Sequence, residues 1–213
     1  MRFADRSLCG LITLCGVLAT GSAQSAEAVD PHAAHRAMMA QAATPGAVQS
    51  VLRSLHDYAA PEVSMIRADG AHISLPAELD DGRPVYLNFI YTTCTTICPL
   101  SSQVFSQLQR KLGDQSGRVH LVSISIDPEQ DTPARLREYA HMFGAGAAWQ
   151  HYTGTVAQSL AVQRAFSVYK GDKMRHTPVT LFRAAPGKPW VRLDGFATAD
   201  ELLQEYRELA AAN

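Results

Sequence analysis

Two near-continuous apolar stretches, residues 84–91 and 119–126, dominate the hydrophobic pattern of this 213-residue chain. A near-continuous apolar run of six to eight residues is what a strand buried on both faces looks like, so both are predicted as central strands. Upstream, apolar residues at helical spacing predict a short amphipathic helix over 47–59, ending before Pro61. Residues 63–66 and 72–75 flank Asp69-Gly70 and predict a hairpin. A helix is expected over 98–112, stopping at Gly113. Thr132-Pro133 opens another that runs to about Phe143, with a capping residue followed by proline at the first helical position. Residues 155–168 read as a further helix. Strands over 179–182 and 190–193 surround Pro186-Gly187. A closing helix spans 198–211, with Thr198 and Glu201 spaced as a capping box.

From residue 84 onward the order is β-α-β-α-α-β-β-α. It predicts an α/β fold of thioredoxin-like type: a central mixed sheet flanked by helices, with an N-terminal β-hairpin. The apolar share of 46% is enough for one core, and no internal repeat is present. A formal net charge of -1 gives no support for nucleic-acid binding.

The chain divides into a leader (1–28), an arm (29–60) and the folded domain (61–213). Arg2 and Arg6 precede a mostly apolar run over 8–20, and Ala26-Glu27-Ala28 offers a small-x-small cleavage site before Val29. This predicts export to the periplasm or the outer side of a membrane. Two outcomes fit: a cleaved signal peptide, or a retained anchor, although the run is short against the ~20 residues of a spanning helix. Leu14 rather than a small residue precedes Cys15, which argues against lipid attachment there. Cleavage would remove Cys9 and Cys15 and leave only Cys94 and Cys98.

Those two cysteines lie in Thr92-Thr93-Cys94-Thr95-Thr96-Ile97-Cys98-Pro99, where a strand gives way to a helix. The four-residue spacing predicts both sulfurs on one helix face, and a helix N-terminus favours thiolate. Three uses stay open: a plain Cys94–Cys98 disulfide, a redox couple, or a pair of soft metal ligands. His176 stands immediately before a predicted strand, on a loop that would face the cysteines. Two thiolates and an imidazole make a good copper set. The arm carries His32, His35, Met38 and Met39 at helical spacing, which is either a secondary copper site or an incidental polar arm. Asp127, Glu129 and Asp131 are read as strand-terminating and helix-capping residues. His56, His72, His120, His141 and His151 share no spacing and are read as ordinary.

The chain resembles the Sco/SenC family from about residue 62 to its C-terminus. The resemblance is carried by Phe89-Ile90-Tyr91-Thr92-Thr93-Cys94, by Cys98-Pro99-Leu100, and by Val122-Ser123-Ile124-Ser125-Ile126-Asp127-Pro128-Glu129-Gln130-Asp131-Thr132-Pro133. It implies a thioredoxin-fold copper protein in which Cys94, Cys98 and His176 are the three ligands. The implied role is delivery of copper to the dinuclear centre of cytochrome c oxidase, with the copper-containing subunit or another copper protein as partner. It also implies an alternative: a periplasmic thiol-disulfide oxidoreductase using Cys94 and Cys98, served by a thiol reductant, that keeps copper-site cysteines reduced. Two departures stand out. Thr95 and Thr96 replace the proline and acidic residue usual between the cysteines. Arg175 replaces the aspartate that commonly precedes the ligand histidine, removing a carboxylate orienter and disfavouring protonation of His176. Thr177-Pro178 resembles the loop on which thioredoxins dock disulfides.

Overall fold

The computed structural model describes residues 51–210. The leader, and His32, His35, Met38 and Met39 of the arm, lie outside the described residues. The first half contributes β1 (Leu52–His56), β2 (Ser64–Arg67), β3 (His72–Ser74), the short helix α1 (Leu75–Leu79), β4 (Val85–Ile90) and α2 (Ile97–Leu112). After a 3₁₀ turn over Gly113–Arg118 come β5 (His120–Ser125), α3 (Pro133–Met142), β6 (Trp149–Thr153) and α4 (Val156–Ala165). A second 3₁₀ turn, Lys173–Arg175, leads to β7 (Val179–Arg183), β8 (Trp190–Asp194) and α5 (Ala199–Ala210).

The strands form one eight-stranded mixed sheet in the order β1-β8-β7-β4-β5-β6-β2-β3. β4, β5 and β6 are parallel neighbours, and the remaining pairs are antiparallel. Alternation along β4 explains why it is buried throughout, with Asn88 its one polar residue. Val85, Leu87 and Phe89 join one core with Leu79 of α1 and Val162 of α4, while Tyr86 joins the other with Phe105 and Leu108 of α2 and Leu202 of α5. A third, smaller cluster gathers Ile90, Tyr91, Cys94, Cys98, Leu136 and Tyr139 at the C-terminal end of β4, against α3. Ligands of open α/β sheets bind beyond this strand end.

The closing helix starts as predicted: Thr198 Oγ1 accepts from the Glu201 amide, and the Glu201 carboxylate accepts from the Thr198 amide. Thr132 caps α3 by accepting from the Arg135 amide. Two predictions need correction. The helix predicted over 47–59 is absent from its described part, residues 51–59; Leu52–His56 is an edge strand paired antiparallel with β8, from Leu52 opposite Asp194 to His56 opposite Trp190. Its spacing suits either element, and the open edge of β8 decides the matter by supplying backbone partners. Leu52 and Leu55 consequently stay exposed, while Arg53 reaches Glu205 of α5 at 2.6 Å. Strand β6 was absent from the predicted order. Gln150 and His151 interrupt its apolar pattern, yet His151 is fully buried between β5 and β2.

Candidate metal centre

β4 ends at Ile90, and the chain turns at once: the Cys94 amide donates to the Tyr91 carbonyl at 3.1 Å. Helix α2 then begins at Ile97, so Cys98 occupies its first turn and Cys94 lies in the loop before it. The two cysteines therefore do not share a helix face, contrary to the spacing argument. They meet because the loop folds Cys94 back over the helix start. Thr96 holds the N-cap position without making a side-chain cap, and the Cys98 amide donates instead to Cys94 Sγ at 3.4 Å. A sulfur thus fills the capping role that a hydroxyl usually serves. Both cysteines are buried and both are free thiols.

This geometry splits the pair chemically. Burial opposes ionisation of Cys94, but the Cys98 and Thr96 amides favour its thiolate, and the neighbouring Cys98 thiol and Tyr91 hydroxyl act in the same direction. Together they bring its pKa below the ordinary cysteine value. Burial, and then the hydrogen bond to Cys94, push the Cys98 thiol far up. Tyr91 is pushed up to about 12 by burial and then by the neighbouring Cys94, so it remains a proton donor.

The loop is tied down by Asp131, a fully buried carboxylate. It accepts from the Thr92 amide at 3.1 Å, from the Thr92 hydroxyl at 2.5 Å and from the Ser125 hydroxyl at 2.6 Å. The residue after Tyr91 is thereby bolted to the end of β5. Reading Asp131 as a turn and capping residue missed this tether; the signal was the Thr92–Asp131 pairing across two β-α loops, which no local spacing reveals.

His176 arrives from the other side. It precedes β7, the antiparallel neighbour of β4, and its Nε2 donates to the Phe89 carbonyl at 3.0 Å. The orienting group lost with Arg175 is therefore replaced by a backbone carbonyl, which leaves Nδ1 as the ring's acceptor nitrogen. Burial lowers the pKa of His176, with Lys170 adding to the effect and the Phe89 hydrogen bond opposing it; the charged neighbour that acts is Lys170, not Arg175. His176 also lines an open cleft with Asp127, Glu129 and Lys173. Lys173 Nζ binds Asp127 at 2.5 Å and stands 5.7 Å from the centre of the Tyr91 ring. Cys94 and Cys98 are brought together, and His176 is anchored two residues before Tyr91. Among the described residues, no group of three or more His, Cys, Asp or Glu side chains is gathered closely enough to hold a metal ion.

Of the five remaining histidines, His120 and His151 are fully buried. His120 lies between Glu78 and Asp81, and His151 packs against Trp149 and against Tyr139 of the cysteine cluster.

The model of the SCO1/SenC family matches residues 62–211. The chain belongs to the SCO1/SenC family. It is similar to the SCO1 protein homolog of Bacillus subtilis (strain 168), at 39% identity over 72 residues, which are 34% of this chain and 36% of that protein. The chain thus spans about a third of that curated relative's length. Its fold is similar to that of BsSco, a Sco family cytochrome c oxidase assembly protein in which a disulfide switch was identified. The TM-score is 0.62 at 22% identity, covering 76% of this chain and 99% of that one. It is also similar to Arabidopsis thaliana ScoI, a structure with copper bound, with a TM-score of 0.60 at 24% identity, covering 72% of this chain and 99% of that one. These likenesses establish the Sco thioredoxin-like fold. Among the described residues no helix is long and apolar enough to cross a membrane.

Proposed function

We propose that this SCO1/SenC protein is an exported copper-binding metallochaperone that carries copper, as cargo, to the dinuclear copper centre of cytochrome c oxidase. Cys94, Cys98 and His176 hold the ion. The observation that carries the reading is the sulfur pair itself, prepared by the Cys98 amide at 3.4 Å from Cys94 Sγ. Thiolate is the ligand that suits cuprous ion, and Cys94 is already stabilised in that form. Copper recruits Cys98 by displacing its proton, because metal binding outweighs a raised thiol pKa. His176 completes the set through Nδ1 by closure of its loop onto the sulfurs, while Nε2 remains the donor to protein. Delivery is ligand exchange, in which cysteines of the recipient subunit replace Cys94 and Cys98 one sulfur at a time. The arm residues His32, His35, Met38 and Met39 serve as a secondary, weaker capture site. Export places the protein in the periplasm or on the extracytoplasmic face of the membrane, supported by the basic start and apolar run of residues 1–28.

A second reading has its own observation in favour: the unequal pKa values of the two thiols. As a reductase, the Cys94 thiolate attacks a substrate disulfide and expels one substrate sulfur as thiolate. Cys98 then loses its proton and attacks Cys94 Sγ, closing a Cys94–Cys98 disulfide and releasing the second substrate sulfur. The pair supplies both electrons, and an external thiol reductant restores it.

Copper titration of the reduced chain, run beside a disulfide-reduction assay, separates the two. The chaperone reading expects one tightly bound copper, lost in Cys94→Ser and in Cys98→Ser, and transfer to an apo-oxidase copper domain. Catalytic turnover of disulfides with no metal transfer would establish the reductase reading instead.

A further inference from the structure

We propose that the thioether of Met174 is a transient ligand for cuprous ion at the mouth of the site, through which copper passes on its way to and from the cysteine pair. The inference rests on the copper reading above and adds a residue and a route to it.

Met174 lies in the 3₁₀ turn Lys173–Arg175, and it is 72% exposed. An apolar side chain so placed contributes nothing to the core. Its sulfur is nevertheless engaged: Tyr91 Oη donates to Met174 Sδ at 3.8 Å. Tyr91 is buried in the same cluster as Cys94 and Cys98, and its hydroxyl lies close enough to Cys94 to favour the thiolate. A thioether, a phenol and a thiolate therefore stand in series from solvent to the interior.

The backbone beneath Met174 is held on both sides. The Met174 amide donates to Asp172 Oδ1 at 2.9 Å, Lys173 is bound to Asp127, and His176 is bound to the Phe89 carbonyl. The side chain of Met174 projects from these anchors, and its unbranched stem suits it to swing. The phenol has a single proton and satisfies one sulfur at a time. Its hydrogen bond to Met174 Sδ engages one lone pair of the thioether and leaves the other available to the ion. A thioether binds cuprous and not cupric ion with useful strength, so the entrance selects the reduced metal. The passage is ligand exchange at constant oxidation state: the thioether–copper bond breaks as the thiolate–copper bond forms, and no electron moves.

The test uses the full chain with Met38→Leu and Met39→Leu, so that the arm contributes no thioether, and with methionine methyl groups labelled with ¹³C. Under anaerobic conditions, cuprous ion is added to protein whose cysteines are blocked by alkylation. The proposal expects a shift of one methyl resonance, assigned to Met174 by its loss in Met174→Leu. In protein with free cysteines, Met174→Leu is expected to slow removal of bound copper by a cuprous chelator roughly tenfold, with equilibrium affinity changed by less than about threefold. An unmoved Met174 methyl with unaltered removal kinetics overturns the proposal while leaving the Cys94, Cys98 and His176 site standing. A wild-type chain that binds no copper at its cysteines overturns both.

Discussion

The Cys98 amide donates to Cys94 Sγ at 3.4 Å, so the first turn of α2 caps itself with the sulfur of its neighbouring cysteine. That contact fixes the spacing of the pair and favours the Cys94 thiolate, while burial holds the Cys98 proton. Cys94 is drawn toward thiolate, and Cys98 is left buried as the proton-bearing partner.

Alkylation follows from that asymmetry. At pH 7 iodoacetamide should modify Cys94 faster than Cys98 by about tenfold or more, because thiolate is the reacting form. In Cys98→Ser the rate should level off below the ordinary cysteine pKa of 9.0, whereas Cys98 in Cys94→Ser should still be accelerating at that pH. Mass spectrometry of timed samples reads both, and equal rates at the two sites would refute the assigned asymmetry.

Asp131→Asn should destabilise the domain by roughly 2–3 kcal/mol, since an amide nitrogen is turned toward buried donors and at least one bond to Thr92 or Ser125 is lost. Urea unfolding should show a lower midpoint with an unchanged slope. The cysteine loop should loosen as well, raising the alkylation rate of Cys98. A variant with wild-type stability and labelling would show that Asp131 is not the tether.

His151 predicts an acid-labile fold. Burial lowers its pKa to about 3 in the folded chain, against an ordinary 6.5. The unfolded chain therefore takes up a proton before the folded one does. Stability from this group is complete above pH 6.5 and is lost progressively as pH falls toward 3, by a few kcal/mol in all. His120, also lowered chiefly by burial and then by Arg83, acts in the same direction. Nε2 of His151 has no hydrogen-bond partner among the described residues, so His151→Leu should leave stability at pH 7 within about 1 kcal/mol of wild type or raise it. Its denaturation midpoint should fall less steeply between pH 6 and 4 than the wild-type midpoint, and an identical slope would remove His151 as the cause.

Oxidation and copper should exclude each other. A Cys94–Cys98 disulfide removes both thiolates, so oxidised protein should lose the main copper site, and bound copper should protect both thiols from alkylation. His176→Ala should weaken cupric binding more than cuprous, because two thiolates still hold the softer ion. Unchanged cupric spectra in that variant would take His176 out of the ligand set.

The arrangement around the site was only partly legible in the sequence. Cys94 and Cys98 announced themselves by spacing and by the strand before them, and Thr198 with Glu201 closed the capping box as read. His176 was identified by its place before a strand, but the partner that orients it is a main-chain carbonyl, and no side-chain pattern encodes a carbonyl. Asp131 looked like one acid among three. It became a tether because β4 and β5 are parallel neighbours whose ends open at the same edge, bringing Thr92 and Asp131 together across 39 positions.

By itself the sequence determined the thioredoxin-like class, the central strands β4 and β5, and the helices that follow them. These depend on local periodicity and caps, which act within a turn or two of chain. Tertiary structure alone decided that residues 52–56 join an edge and that polar-looking residues 149–153 enter the sheet. Backbone hydrogen bonding to an open neighbour outweighs the modest preferences of five residues. It also decided the acidity of each cysteine, for a thiol's pKa is set by burial and by the donors that surround it, and those come from distant parts of the chain.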